Sequence, residues 1–152
     1  MRRKSIINII CAILFFAACG GKKMSGGYIG EAKAELKPSG YNPTGNLADS
    51  NQDVLAVLTQ DGDTVTLKLG NTVLLSNCEL KAKITKSTAY VIDGTVCDIN
   101  VASVSKTISV VDGSISVGDY GDADVIINIA GFAGGRQNGD YFTFNFRGKS
   151  KK

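Results

Sequence analysis

From residue 53 onward the chain alternates apolar and polar residues with a period of two. In residues 64–69, Val65, Leu67 and Leu69 fall on one face and Thr64, Thr66 and Lys68 on the other. That is the pattern of a half-buried antiparallel strand. Residues 78–85 repeat it, with Cys78, Leu80, Ala82 and Ile84 inward and Glu79, Lys81, Lys83 and Thr85 outward. Residues 123–130 place Val125, Ile127 and Ile129 together, and residues 141–147 place Phe142, Phe144 and Phe146 opposite Tyr141, Thr143, Asn145 and Arg147. Shorter runs at 53–59, 72–75, 89–92, 97–101, 107–111 and 114–117 fill the series. Asp61-Gly62-Asp63 and Gly70-Asn71 supply turns, and Asp93-Gly94 and Asp112-Gly113 predict two-residue hairpins. Residues 131–140 form a glycine-rich loop. Roughly eight to ten short strands joined by tight turns, with no helix, predict an all-β fold. An antiparallel up-and-down barrel is favoured, because the connections run in sequence order and closure removes exposed edges; a two-sheet β-sandwich is the alternative.

The stretch before residue 53 has a different texture. Arg2, Arg3 and Lys4 precede an apolar run over residues 6–16, which ends in Ala17, Ala18 and Cys19. A basic head, a short apolar core and small residues at the end make a signal peptide, here residues 1–18, and the run is too short to span a bilayer. The small-small-Cys ending resembles the lipobox of bacterial lipoproteins, although Phe16 stands where that motif prefers Leu. The resemblance implies diacylglycerol attachment at Cys19 and cleavage just before it. Residues 19–52 are rich in Gly, Lys, Ser and Asn and hold both prolines, Pro38 and Pro43. They read as a flexible tether carrying a single domain at residues 53–152; residues 31–36 have the composition of one helical turn, stopped by Pro38.

Composition narrows the chemistry. The chain has no histidine, which excludes a Ser-His-Asp triad, a Cys-His pair and a His-ligated metal. Its formal charge of +3 equals the contribution of the three basic residues of the signal peptide, so the exported part is near neutral and a nucleic-acid partner lacks electrostatic support. No enzyme, cofactor or metal site is expected. Of the four cysteines, Cys78 and Cys97 remain after the signal and the lipidated position are set aside. In an exported chain such a pair suggests a disulfide. A turn at 86–88 would put the two on adjacent strands; a single tight turn at Asp93-Gly94 would put Tyr90 opposite Cys97 and leave the cysteines as buried thiols.

Lipobox, polar tether and a short domain of repeated hairpins together resemble the calycin-like (lipocalin-like β-barrel) lipoproteins of Bacteroidales. Residues 144–149, Phe-Asn-Phe-Arg-Gly-Lys, are similar to the closing strand of that group. The resemblance implies a lipocalin-like barrel at the bacterial outer membrane and transfers no catalytic residue or ligand.

Three further features are candidates. The row Phe142, Phe144 and Phe146 either lines an apolar ligand cavity or is core. Asp119, Asp122 and Asp124 cluster near the start of a strand, where turn formation accounts for them without calcium. Arg136 sits in the glycine-rich loop without a phosphate-loop pattern around it. Two functions are therefore expected in order: a membrane-anchored, non-catalytic binding module carrying a small apolar ligand, or an interaction lipoprotein with a filled core that acts through its loops and outer strands.

Overall fold

The computed structural model describes residues 23–40 and 45–152. The expected signal peptide, residues 1–18, and the expected lipidation site, Cys19, lie outside the described residues. Nine strands form one antiparallel sheet: β1 (Gly26–Lys37), β2 (Leu47–Asp61), β3 (Thr64–Gly70), β4 (Leu80–Thr85), β5 (Thr88–Val91), β6 (Val96–Val101), β7 (Val104–Val117), β8 (Val125–Ala133) and β9 (Asp140–Ser150). β1 pairs with β9, and β5 pairs with β7, so eight strands close into an up-and-down barrel and β6 is an extra strand on β7. The barrel, and not the sandwich, is the fold.

The alternating runs become strands as their pattern requires. Every second residue of β9, from Asp140 to Gly148, is buried, and Ile127 and Ile129 of β8 face Phe146 and Phe144 across the ladder. Phe142, Phe144, Phe146, Leu36, Leu67 and Ile115 fill the interior at no more than 2 % exposure. Each such side chain contributes on the order of 1.5–3 kcal/mol by leaving water.

The tether expectation fails within residues 26–37 and 47–52, which are strand. β1 is central to closure, pairing with β2 on one side and with β9 on the other. Its residues 32–37 alternate Ala, Lys, Ala, Glu, Leu, Lys, and Ala32, Ala34 and Leu36 are buried. These residue types favour helix on propensity, but pairing on both edges and burial of one face outweigh a preference worth only tenths of a kcal/mol per residue. Small side chains at positions 32 and 34 suit a site directly opposite the bulky Phe146 and Phe144. Gly30 has a more specific reason: a Cβ there would lie 1.9 Å from the Arg147 carbonyl oxygen.

Two expected hairpins are also replaced. Asp112-Gly113 is not a turn but part of a bulge inside the single long strand β7, where the register to β8 shifts between Val110 and Asp112. Gly113 faces inward, and a Cβ on it would come within 2.7 Å of the Asn128 carbonyl oxygen. The glycine permits close approach of two strands, not reversal of the chain. Asp93-Gly94 does turn, with Gly94 at φ 92°, but it leads β5 away from β6. The hairpin in this region joins β6 to β7 through Ala102 and Ser103, both at positive φ. Residues 72–75 form no strand, although Leu74 and Leu75 are fully buried.

The two ends of the barrel differ. At the capped end, where β1, β3, β5 and β8 finish, β6 and residues 71–79 lie together. At the turn end the connections are the β2–β3 turn, the β4–β5 turn at Lys86 and Ser87, and the loop 118–124.

Candidate functional site

The interior comes first, because a carrier would use it. The three phenylalanines belong to one cluster of buried apolar side chains that runs through the barrel. That burial supports the core reading of the row. The cavities described by the structure open on the outside of the barrel.

At the capped end, Cys78 and Cys97 form a disulfide with 5.0 Å between their Cα atoms. Neither of the two anticipated geometries applies, since β5 pairs with β7 and Cys78 precedes β4. The bond joins the β3–β4 connection to the extra strand. Beside it, Ser76 and Asp98 exchange backbone hydrogen bonds at 2.8 and 3.0 Å, so residues 73–76 cover the edge of β6 that β7 leaves free. Across the same end, Asp140 accepts a hydrogen bond from the Lys106 ammonium and another from the Ser39 backbone N–H at 2.8 Å. The Lys106 bond first, then the Ser39 bond, hold the Asp140 carboxyl below the usual aspartate range. This one residue ties the start of β9 to the start of β7 and to the chain just after β1.

At the turn end the aspartate cluster is engaged by protein groups. Asp122 pairs with the Arg147 guanidinium, and Asp124 accepts the Ser150 N–H at 2.8 Å. Both carboxyls are held below the ordinary range, Asp122 chiefly by Arg147 and Asp124 chiefly by Ser150. Tyr28 is buried nearby, and burial, then the charge of Asp124, raises its pKa. Arg136, in the loop after β8, lies 3.4 Å from Asp93 across two exposed side chains.

A groove of about 530 Å³ crosses the outer face of β5, β7, β8, β9 and β1. The register explains its composition. Tyr90, Ser114, Asn128, Asn145 and Lys33 are successive cross-strand partners, so they form one outward row. Asp112, Ala130, Thr143 and Glu35 form the next. The bulge at Val110/Asp112 bends β7 where the groove crosses it. Small floor residues, Ser114, Ala130 and Thr143, leave the hollow, with Tyr90 on one side and Lys33 and Glu35 on the other. Asn145 Nδ2 donates to Asn128 Oδ1 at 2.6 Å.

Of the residues around this groove only Phe144 was singled out from the sequence as a site candidate, and it borders the groove from the buried side. A signal was present: the outward positions 128, 130, 132, 141, 143 and 145 of β8 and β9 are all uncharged, Asn, Ala, Phe, Tyr, Thr and Asn, whereas Arg147 and Lys149 follow on β9 and β4 carries Lys81 and Lys83 outward. Comparison of the chain with family models, curated proteins and solved structures finds no match, so the site is defined by its geometry.

Proposed function

We propose that this chain is an exported bacterial lipoprotein, anchored through lipid on Cys19, whose barrel is a non-catalytic binding module that makes its contacts from the outside. The packed interior carries this reading: with Phe142, Phe144 and Phe146 at 0–2 % exposure, the barrel itself is occupied by its own side chains. The anchor reading rests on the basic, apolar, small-small-Cys order of residues 1–19. Each buried methylene of an attached acyl chain adds about 0.8 kcal/mol, so two or more chains hold a protein at a membrane durably.

One preparation tests both halves. The Cys19→Ser protein is expected in the soluble fraction and the native chain in the membrane fraction; a membrane-bound variant would end the anchor reading. Native mass spectrometry of the chain extracted from its host's membranes is expected to show the lipid-modified mass without a further apolar molecule. An apolar adduct lost only on unfolding would return the barrel to the carrier class.

A further inference from the structure

We propose that the outer groove over β5, β7, β8, β9 and β1 binds a neutral oligosaccharide; this rests on the outward-binding reading above and names its ligand class. The volume, about 530 Å³, falls inside the roughly 300–1,000 Å³ range of small-ligand sites.

The lining determines the chemistry. The Asn128–Asn145 bond leaves Asn128 Nδ2 and Asn145 Oδ1 without a partner among the described residues. The hydroxyls of Ser114, Thr143, Tyr90 and Tyr141 likewise have none. Donors and acceptors are thus interleaved on short side chains, each fixed by a paired strand, which is the form a preorganised polar site takes. A sugar hydroxyl both donates and accepts and meets such a surface on equal terms. The exposed ring of Tyr90 offers a flat apolar face of the kind that packs on the C–H face of a pyranose, while the Tyr141 ring packs against Phe132 at 5.1 Å and contributes its hydroxyl.

Other ligand classes fit less well. An anion needs uncommitted cations, and Lys33, the cation of the lining, lies 3.5 Å from Glu31. Glu35 and Asp112 add acceptors and would repel phosphate or sulfate. An acyl chain would leave the amides and hydroxyls desolvated and unpaired, at a cost that apolar contact with Ala130 and two tyrosines does not offset.

The experiment probes the full chain against immobilised neutral oligosaccharides: glucans, galactans, mannans, xylans and N-acetylglucosamine oligomers. Alongside it run Tyr90→Ala, Asn128→Ala and, on β3 at the far side of the ring, Lys68→Ala. All three positions are outward, and a melting curve for each establishes that it folds. Retention of at least one neutral oligosaccharide, weakened tenfold or more by Tyr90→Ala and by Asn128→Ala and unchanged by Lys68→Ala, is expected. Retention that survives both groove substitutions overturns the proposal, and so does a chain that retains none of the panel while its interior is empty by mass spectrometry. That last result leaves outward binding standing, whereas an apolar interior adduct would remove the reading beneath it.

Discussion

The two ends of the barrel solve the same problem by different means. Both must keep water from the interior row of phenylalanine and aliphatic side chains. The capped end does so with an additional strand, a covalent bond, two fully buried leucines and a nearly buried aspartate shared by three segments. The turn end relies on short connections whose charged groups pair in solvent. Because a charge pair is worth more as water is excluded from it, substitutions of similar chemistry should have unequal effects at the two ends.

The largest effect is expected from the disulfide. Cys78 and Cys97 are 19 residues apart, and a bridge closing a loop of that length contributes about 3 kcal/mol, mainly by restricting the unfolded chain. The double replacement Cys78→Ala, Cys97→Ala should lower stability by that order in denaturant titration. Hydrogen exchange should then quicken over β6 and residues 71–79 and remain slow over β1, β8 and β9. Equal quickening around the whole barrel would mean that the cap and the barrel are one cooperative unit, and the contrast between the ends would lose its basis.

Next is Asp140→Asn, which keeps an acceptor for the Ser39 N–H and removes the charge that holds Lys106. The expected loss at neutral pH is about 1–2 kcal/mol, between an exposed pair and a buried charged hydrogen bond. Its pH dependence has a definite sign. A carboxyl with a lowered folded pKa stabilises fully above the ordinary aspartate range and loses that stabilisation as pH falls through the lowered value. The gap between the native chain and Asp140→Asn should therefore close on acidification. A gap that widens in acid would show that the substitution acts through packing instead.

These elements were unequally legible in the sequence. β3, β4, β8 and β9 were readable because each buries one face, so pattern and pairing coincide. β1 carried the same alternation, but in Ala, Lys and Glu, whose helix propensity and polar neighbours mask it; only Phe144 and Phe146 opposite explain why alanine suffices. Asp112-Gly113 misled because a glycine needed for close approach looks, in one dimension, like a glycine needed for a turn. The cap was hidden for a related reason. Leu74 and Leu75 are adjacent and both fully buried, which no period-two pattern accommodates; the Cys78–Cys97 bridge itself was legible from two leftover cysteines in an exported chain, but the crossover of β6 that it fastens is encoded by no local signal. The groove needs partners from five strands, so its residues were visible only as outward positions.

The smallest effect should come from the turn end, through Arg147→Gln. This removes the guanidinium that pairs with Asp122, the most complete ion pair of the 118–124 loop. Both side chains are solvated, and the loop has other restraints. Gly118 N–H donates to the Asp124 carbonyl at 3.0 Å, Tyr120 N–H donates to that of Ala123 at 2.9 Å, and Ala123 itself is fully buried. Backbone bonds and one buried methyl group should hold the loop when the charge is gone, so the melting curve should not move measurably. Salt offers the same test without mutation. Screening weakens solvent-exposed pairs first and leaves a disulfide and a nearly buried aspartate largely untouched. Moderate salt should therefore quicken exchange at residues 118–124 no more than Arg147→Gln does, and leave β6 as it was. If either treatment loosened the turn end as much as cutting the disulfide loosens the cap, solvated charge pairs would be carrying the closure there, and burial would not be what separates the two ends.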